Sequence, residues 1–187
     1  MNIWKPLVLI LPVIVVTTGV VYADRDEREG EGRGWFSSFR LDVAPVTDPL
    51  YQEECGACHF AYQPGLLPER SWQKMMTQLD DHFGDNAELV EAKRQQIEAY
   101  LGTNAADHAN YKRSKGFARS IKADEIVLRI TDTLYFKRKH DEVPARLVTG
   151  NKDVGSYSHC AACHTDAAKG SYNEHEVRIP GVGRWDD

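Results

Sequence analysis

Two five-residue segments of the chain have the residue types and the spacing needed to attach a porphyrin covalently. They are Cys55-Gly56-Ala57-Cys58-His59 and Cys160-Ala161-Ala162-Cys163-His164. In a C-x-x-C-H pattern, two thiols on one helical turn can add to the two vinyl groups of one haem, and the histidine that follows can coordinate the iron. The motifs therefore predict two covalently bound haem c groups, with His59 and His164 as iron ligands.

Three other kinds of site use paired cysteines, and each fits the pattern less well. All four cysteines of the chain lie in the two motifs, and two disulfides would leave the histidine after each pair unexplained. Zinc sites built from two C-x-x-C pairs usually hold the pairs much closer together than the 105 positions between Cys55 and Cys160. A thioredoxin-like redox pair requires a βαβ pattern, which the sequence lacks.

The N-terminus has the pattern of a secretory signal peptide over residues 1–23. Lys5 supplies the positive charge, an apolar run covers residues 7–21, and Val21-Tyr22-Ala23 resembles a cleavage site. The run is shorter than the ~20 apolar residues of a membrane span and contains Pro12 and Gly19, so cleavage is favoured over a retained anchor. Because haem is attached to C-x-x-C-H motifs after export, we expect the protein in the bacterial periplasm, with no membrane span after cleavage.

The net charge of the chain indicates which kinds of molecule it can bind. The chain carries a formal charge of −5, and without residues 1–23, which hold Lys5 and no acidic residue, the charge becomes −6. This charge argues against nucleic acid and against an anionic membrane surface as partners. Acidic electron carriers tend to dock on positively charged patches, so the overall charge predicts a basic surface on the partner.

The rest of the sequence predicts a mainly α-helical chain with two haem domains. Residues 24–47 are expected to form a flexible leader, residues 48–104 a first haem domain, and residues 105–187 a less regular second haem domain. Asp48 and Pro49 have the residue types of an N-cap and a first helical position, so a helix should lead into the first motif.

Further helices are predicted from apolar residues at helical spacing. They cover residues 71–84, residues 86–102 and a segment from about 122 to 139. Ser71 is the expected cap of the first of these helices and Gly84 its end. Before them, the loop at residues 64–68 is expected to wrap the first haem and offer a carbonyl to the second ring nitrogen of His59.

The sixth iron ligand decides whether each haem is closed, as in an electron carrier, or open, as in a catalyst. For the first haem the candidates are Met75, Met76 and His82. The two methionines are explained by core packing on an amphipathic helix, whereas His82 precedes a glycine break where a side chain can point into a pocket. His82 is therefore the favoured ligand.

The second haem has only histidines to choose from, because no methionine follows Met76. The candidates are His108, His140, His159 and His175. His159 adjoins Cys160 and is unable to reach the opposite haem face easily. His140 ends an apolar helix that can lie over the porphyrin, so it is favoured, with His108 and His175 left as alternatives.

The chain also resembles the dihaem cytochrome c family of proteobacteria, which includes the electron donor to a small oxygen-binding cytochrome. Besides the two haem motifs, the matching segments are residues 44–46, Tyr51, residues 62–68, 71–72, 79–84, 130–135, His140, residues 143–144 and 177–180. The resemblance implies a class I cytochrome-like first domain, a second domain with little regular structure, and two low-potential haems that each have two histidine ligands. Carried over residue by residue, it implies His82 and His140 as the sixth ligands.

Two classes of function follow from these expectations. The first is an electron-transfer protein with no reaction of its own, which by resemblance would accept electrons from a membrane b-type cytochrome and pass them to a soluble haem protein. The second is a dihaem peroxidase-type enzyme with one open haem, although such enzymes are usually nearly twice this length. A small dihaem subunit of a larger reductase is a further possibility, but its motifs would lie closer together in sequence.

Overall fold

Helices dominate the part of the chain that the structure, a computed structural model, describes, which is residues 41–185. Its α-helices are α1 (Pro49–Gly56), α2 (Glu69–Met76), α3 (Glu91–Thr103), α4 (Lys112–Ser120), α5 (Leu134–Lys139) and α6 (Cys160–Cys163). Short 3-10 helices cover Pro64–Leu66, Leu79–Asp81, Ile130–Asp132, Ala145–Leu147, Ala167–Lys169 and Glu174–Glu176. Two short antiparallel strands, β1 (Arg178–Ile179) and β2 (Gly183–Arg184), pair Arg178 with Arg184 and Ile179 with Gly183. The mainly α fold class is confirmed.

The predicted signal peptide and most of the predicted leader lie outside the described residues. Within residues 41–185, none of the helices combines the length and the apolar character required to cross a bilayer.

The start of α1 is as predicted. The Asp48 side chain accepts a hydrogen bond of 2.7 Å from the backbone N–H of Tyr51, and Pro49 occupies the first helical position. The buried Tyr51 hydroxyl donates to the carbonyl of Tyr62 at 2.7 Å. This bond ties the helix that carries Cys55 to the segment that follows the first haem motif.

The predicted helix at residues 71–84 is wrong at both ends. Helix α2 begins two residues earlier, after Pro68, and Ser71 is buried inside it instead of capping it. It ends at Met76, and the chain then makes a 3-10 turn and a tight loop in which Phe83 has φ +60° and Gly84 has φ +104°. A helix cannot contain two such residues. His82 therefore lies in a loop, not on a helix face.

Two other helix predictions also need correction. Helix α3 begins at Glu91 instead of residue 86, and Val90 is 67% exposed, although Ile97 and Leu101 are buried as expected. In the second half, helix α5 covers only the last part of the predicted segment at 122–139, because Thr133 caps it by accepting from the Phe136 N–H at 3.2 Å.

The core is shared between the two predicted haem domains. One buried cluster gathers Tyr51, Leu67, Trp72, Met76, Ile97, Leu101, Ala105 and Ile121, and a second gathers Val43, Leu66, Ala106, Phe117 and Phe136. The neighbours Leu66 and Leu67 thus belong to different clusters, and each cluster takes residues from both sides of position 104. The described residues all belong to one compact unit, and the predicted division at residue 104 stays a prediction.

The last residues of the predicted leader are anchored to the second half of the chain. The N–H groups of Asp42 and Val43 both donate to the carbonyl of Gly170, at 3.0 and 3.2 Å, and Val43 is fully buried. Gly170 itself has φ +82°, and a Cβ atom there would overlap the Val43 carbonyl oxygen. The flexible leader expected at residues 24–47 therefore does not extend over its last residues, because they pack against this glycine.

Gly170→Ala should destabilise the protein by about 3 kcal/mol, because it combines the cost of a left-handed backbone with a steric overlap. The matched control is Gly181→Ala, where φ is +75° but no atom lies within 4 Å of the new Cβ. That variant should lose only about 1 kcal/mol. Urea unfolding of the haem-loaded variants measures both changes, and equal losses would show that the Val43 contact contributes nothing.

Candidate haem sites

The first site pairs the motif histidine His59 with His82. Their ring centroids are 6.1 Å apart and their planes differ by 21°. The loop around His82 is fixed by its own backbone, since the His82 N–H donates to the Asp85 carbonyl at 2.7 Å. On the other side, the Nδ1 atom of His59 lies 2.8 Å from the carbonyl oxygen of Phe60. The predicted carbonyl from residues 64–68 is thus wrong, and the acceptor is the next residue in the chain.

The second site pairs His164 with His140. Their ring centroids are also 6.1 Å apart, with an interplanar angle of 79°. His164 ends α6, the single turn that carries Cys160 and Cys163. His140 directly follows α5, and its ring stacks on Phe136 at 3.9 Å while its Nδ1 atom lies 3.0 Å from the Phe136 carbonyl oxygen. Both contacts hold the His140 ring in one orientation.

The separation of the rings fits an iron ion between them. A histidine nitrogen lies about 2.0–2.1 Å from a bound transition-metal ion such as zinc. If two imidazoles bind one ion from opposite sides, adding the distance from each nitrogen to the centre of its ring gives roughly 6.3 Å between the two ring centroids. Both observed separations, 6.1 Å, agree with this value. The ring separations are therefore those expected if His82 and His140 were the sixth ligands.

The space beside the second pair also fits a large planar group. A cavity of about 580 Å³ opens next to His140 and His164, within the range of small-molecule sites. Its apolar wall includes Leu66, Phe117, Ile130, Phe136, Val148, Val154 and Ile179, and Cys160 and Cys163 open into it. A smaller recess of about 380 Å³ lies beside His82 and is lined by Met75, Phe83 and Leu128 among others.

Burial favours the neutral form, which is the one that binds metals, in three of the candidate ligand histidines. It lowers the pKa of His164 to about 4, with a further contribution from nearby His140. Burial also lowers the pKa values of His82 and His140. The Cys55 and Cys160 thiols are affected in the opposite sense, and burial raises the pKa of each to about 11. A neutral imidazole has a free nitrogen lone pair, so these rings need lose no proton before binding iron.

The other candidate ligands have different surroundings. His108 is exposed and its Nε2 atom lies 2.8 Å from Glu69 Oε2. The Nδ1 atom of His159 lies 2.6 Å from the Val154 carbonyl oxygen. His175 is exposed at the edge of the second cavity. Met76 is buried in the core, as expected from its helical spacing.

A polar link between the two haem motifs was not predicted from the sequence. The Gln63 side chain is fully buried, donates to the Ala167 carbonyl at 2.5 Å and accepts from the Tyr172 hydroxyl at 2.6 Å. The Tyr172 ring lies 5.2 Å from the His164 ring, and the Tyr62 ring lies 5.2 Å from the His59 ring. The Gln63 link therefore joins the surroundings of the two motif histidines.

A further hydrogen bond joins the same two regions. The Tyr62 hydroxyl donates to the carbonyl of Ser158, just before the second motif, at 2.9 Å. In the sequence, Gln63 is visible as a glutamine within an apolar segment that contains prolines. This pattern gives no indication of a hydrogen-bond partner 104 positions away.

Gln63→Leu should lower the free energy of unfolding by about 2 kcal/mol or more, because it leaves the Tyr172 hydroxyl and the Ala167 carbonyl without their partner. Gln73→Leu is the control, since Gln73 is exposed and its side chain donates to Glu69 on the same helix. It should change the stability by less than about 0.5 kcal/mol. Urea unfolding of both haem-loaded variants measures the two changes in the free energy of unfolding. Similar changes would show that the hydrogen bonds of Gln63 do not stabilise the protein.

Both the sequence and the structure of the chain match known proteins. Residues 51–172 match the profile of the family described as dihaem cytochrome c. The chain is similar to the solved diheme cytochrome type c from Shewanella baltica OS155, with 41% identity and a TM-score of 0.61, over 74% of this chain and 97% of that one. It is similar also to the diheme cytochrome c from Rhodobacter sphaeroides, with 46% identity and a TM-score of 0.62, over 70% of this chain and all (100%) of that one.

None of the curated proteins compared by sequence matches the chain. The family profile spans more than half of it, and the two solved relatives are covered almost completely at over 40% identity. The C-x-x-C-H motifs provide the attachment points for the prosthetic groups that give this family its description. The chain therefore belongs to the dihaem cytochrome c family of haem electron carriers and carries two haem c groups.

Proposed function

We propose that the protein is a periplasmic electron carrier in which both irons are closed by two histidines and which catalyses no reaction of its own. The observation that carries the proposal is the equal separation of 6.1 Å in the pairs His59–His82 and His140–His164. A haem with both axial positions filled can exchange electrons but has no site for oxygen or peroxide. The signal-peptide pattern and the haem motifs support export to the periplasm.

The ligand set favours low reduction potentials. A methionine ligand raises the potential of a haem and a second histidine lowers it. In addition, a carbonyl oxygen lies within hydrogen-bond distance of Nδ1 in His59 and in His140, at 2.8 and 3.0 Å. Such an acceptor increases the basicity of the ligand and favours the oxidised iron. Each haem would therefore have one histidine ligand, His59 or His140, with its basicity increased by a carbonyl acceptor.

Electrons would enter at one haem and leave at the other. The Tyr62–Ser158 and Tyr172–Gln63 hydrogen bonds hold the two motif regions at a fixed separation, which keeps the path between the haems constant. The resemblance to the family suggests a membrane b-type cytochrome as the donor and a soluble haem protein, such as a small oxygen-binding cytochrome, as the acceptor.

The test is the coordination state of the purified haem-loaded protein. Low-temperature EPR of the oxidised form should show two low-spin signals and no high-spin signal, and the reduced form should bind no carbon monoxide. A high-spin signal, or one carbon monoxide bound per chain, would instead support the peroxidase-type alternative with one open haem. Peroxide turnover with an electron donor should then be measurable. Co-purification with a large molybdenum subunit would support the alternative of a reductase subunit.

A further inference from the structure

The charge of the chain is divided unequally between the surroundings of the two haems. Residues 48–104 contain four Lys or Arg and ten Asp or Glu, whereas residues 105–185 contain fourteen Lys or Arg and ten Asp or Glu. The first half is therefore at −6 and the second at +4. The two propionates of each haem would make these charges −8 and +2, so the halves still differ in sign. The net negative charge of the chain conceals a basic half.

Basic residues are concentrated next to the ligand of the second haem. Lys137, Arg138 and Lys139 form the last turn of α5, are all exposed, and directly precede His140. Arg138 and Lys139 also lie at the edge of the second haem cavity. Leu134, one turn earlier on the same helix, is 63% exposed. We call Leu134 and these three cations the α5 face.

We propose that the α5 face is the docking surface for an acidic redox protein, which exchanges electrons with the second haem. The inference rests on the proposed carrier function. Leu134 is an exposed apolar side chain with Lys137 and Arg138 one turn further along the same helix. An apolar residue beside such cations has the composition of a transient interface, in which the apolar contact holds and the charges steer. A protein bound there would lie within one helical turn of His140, and short distances favour electron transfer.

The corresponding region of the first haem carries the opposite charge. The loop that holds His82 exposes Asp80, Asp81, Asp85 and Glu88. Arg129 lies over the Phe83 ring at 4.0 Å and offsets only one of these charges. An acidic partner would be repelled from this loop. The two haems would thus be reached by different partners, with the acidic partner directed to the second.

The α5 face is also limited on one side. Asp141 and Glu142 follow His140 and are both exposed. They confine the positive surface to the helix, so the steering depends on a small number of side chains. Replacing two of these cations should therefore have a large effect on the encounter rate.

The experiment compares reduction of the haem-loaded full chain by two donors in a stopped-flow instrument. Flavodoxin hydroquinone serves as the acidic protein donor, and photoreduced riboflavin as a small donor without net charge. Lys137→Glu/Arg138→Glu should slow reduction by flavodoxin about tenfold or more at low salt, within the range known for electrostatic steering. The wild-type rate should fall as salt is added. Reduction by riboflavin should change by less than about twofold in the variant.

The control variant is Lys74→Glu/Lys152→Glu, which changes the net charge by the same amount at exposed positions outside the α5 face. It should slow reduction by flavodoxin by less than about threefold. An equal loss in both variants would overturn the proposal, because only the total charge would then matter. A parallel loss with riboflavin would also overturn it, since the substitutions would be acting on the haem itself. Failure of both donors to reduce the wild-type protein would refute the carrier function instead.

Discussion

His140→Ala should convert the second haem from a closed low-spin site to an open high-spin one that binds one carbon monoxide per chain. The alanine has no donor atom, and the ring that it removes is the one 6.1 Å from His164. The first haem should keep its low-spin EPR signal, because His59 and His82 are untouched. His82→Ala should have the converse effect and open the first haem alone.

One further variant and a rescue experiment separate ligation from a merely structural role of His140. His140→Met should keep the second haem low-spin and raise its reduction potential, since a thioether replaces an imidazole. Added imidazole should restore the low-spin signal of His140→Ala by filling the vacated position. A ring that only supported the packing of Phe136 would give neither result.

The alternative ligands for the second haem provide the matched controls. His108→Ala removes an exposed histidine that pairs with Glu69, and it should leave both EPR signals unchanged. His175→Ala is the sharper comparison, because His175 lies at the edge of the same cavity as His140. If His175→Ala opened the second haem and His140→Ala did not, the assignment of His140 would be wrong.

The haem motifs could be read from the sequence because their chemistry depends on local spacing alone. Two cysteines and a histidine at a fixed spacing within five residues can be recognised without knowledge of the fold. His82 and His140 could be proposed for a related reason, since few other nitrogen or sulfur donors exist in each half. What the sequence could not provide was the reason for the position of His82. The helix expected to carry it ends at Met76, and a strained loop with φ +60° at Phe83 places it instead.

The irregular second half shows why helix spacing was a weaker guide there. The apolar residues between 122 and 139 follow a helical pattern, but Thr133 caps a new helix and divides the segment. The intervening side chains, such as Ile130, face the haem cavity. Where a prosthetic group replaces part of the core, apolar residues line it from short turns, and their spacing no longer reports on one helix. The buried Gln63 link is of the same kind, because its partners are distant in sequence.

Removing the thiols that attach the second haem should destabilise the protein far more than removing those of the first. In Cys160→Ala/Cys163→Ala no thioether bond can form at this site, so the covalently bound haem per chain should fall to half. The haem leaves a cavity of about 580 Å³. A closed empty cavity costs about 24 cal/mol per Å³, or about 14 kcal/mol for this volume, which is as large as the whole stability of a typical protein.

The cavity is open on one side, so only part of this cost applies. Even about a third of it, roughly 5 kcal/mol, would be enough to unfold a protein of marginal stability. The second cluster of buried residues has five members, and three of them, Leu66, Phe117 and Phe136, line the emptied cavity. We therefore expect the variant to lose its cooperative unfolding transition or to unfold well below the wild-type urea midpoint.

Cys55→Ala/Cys58→Ala is the matched comparison, because it also removes one haem. The first half retains a buried cluster that includes Trp72, Ile97 and Leu101, and none of these three residues lines the recess of about 380 Å³ beside His82. This variant should keep a cooperative transition, with helix content measured by circular dichroism close to that of the wild type. Similar losses in the two variants would mean that both halves depend on haem equally. The packing around α2 and α3 predicts instead that the first half can hold its fold without haem.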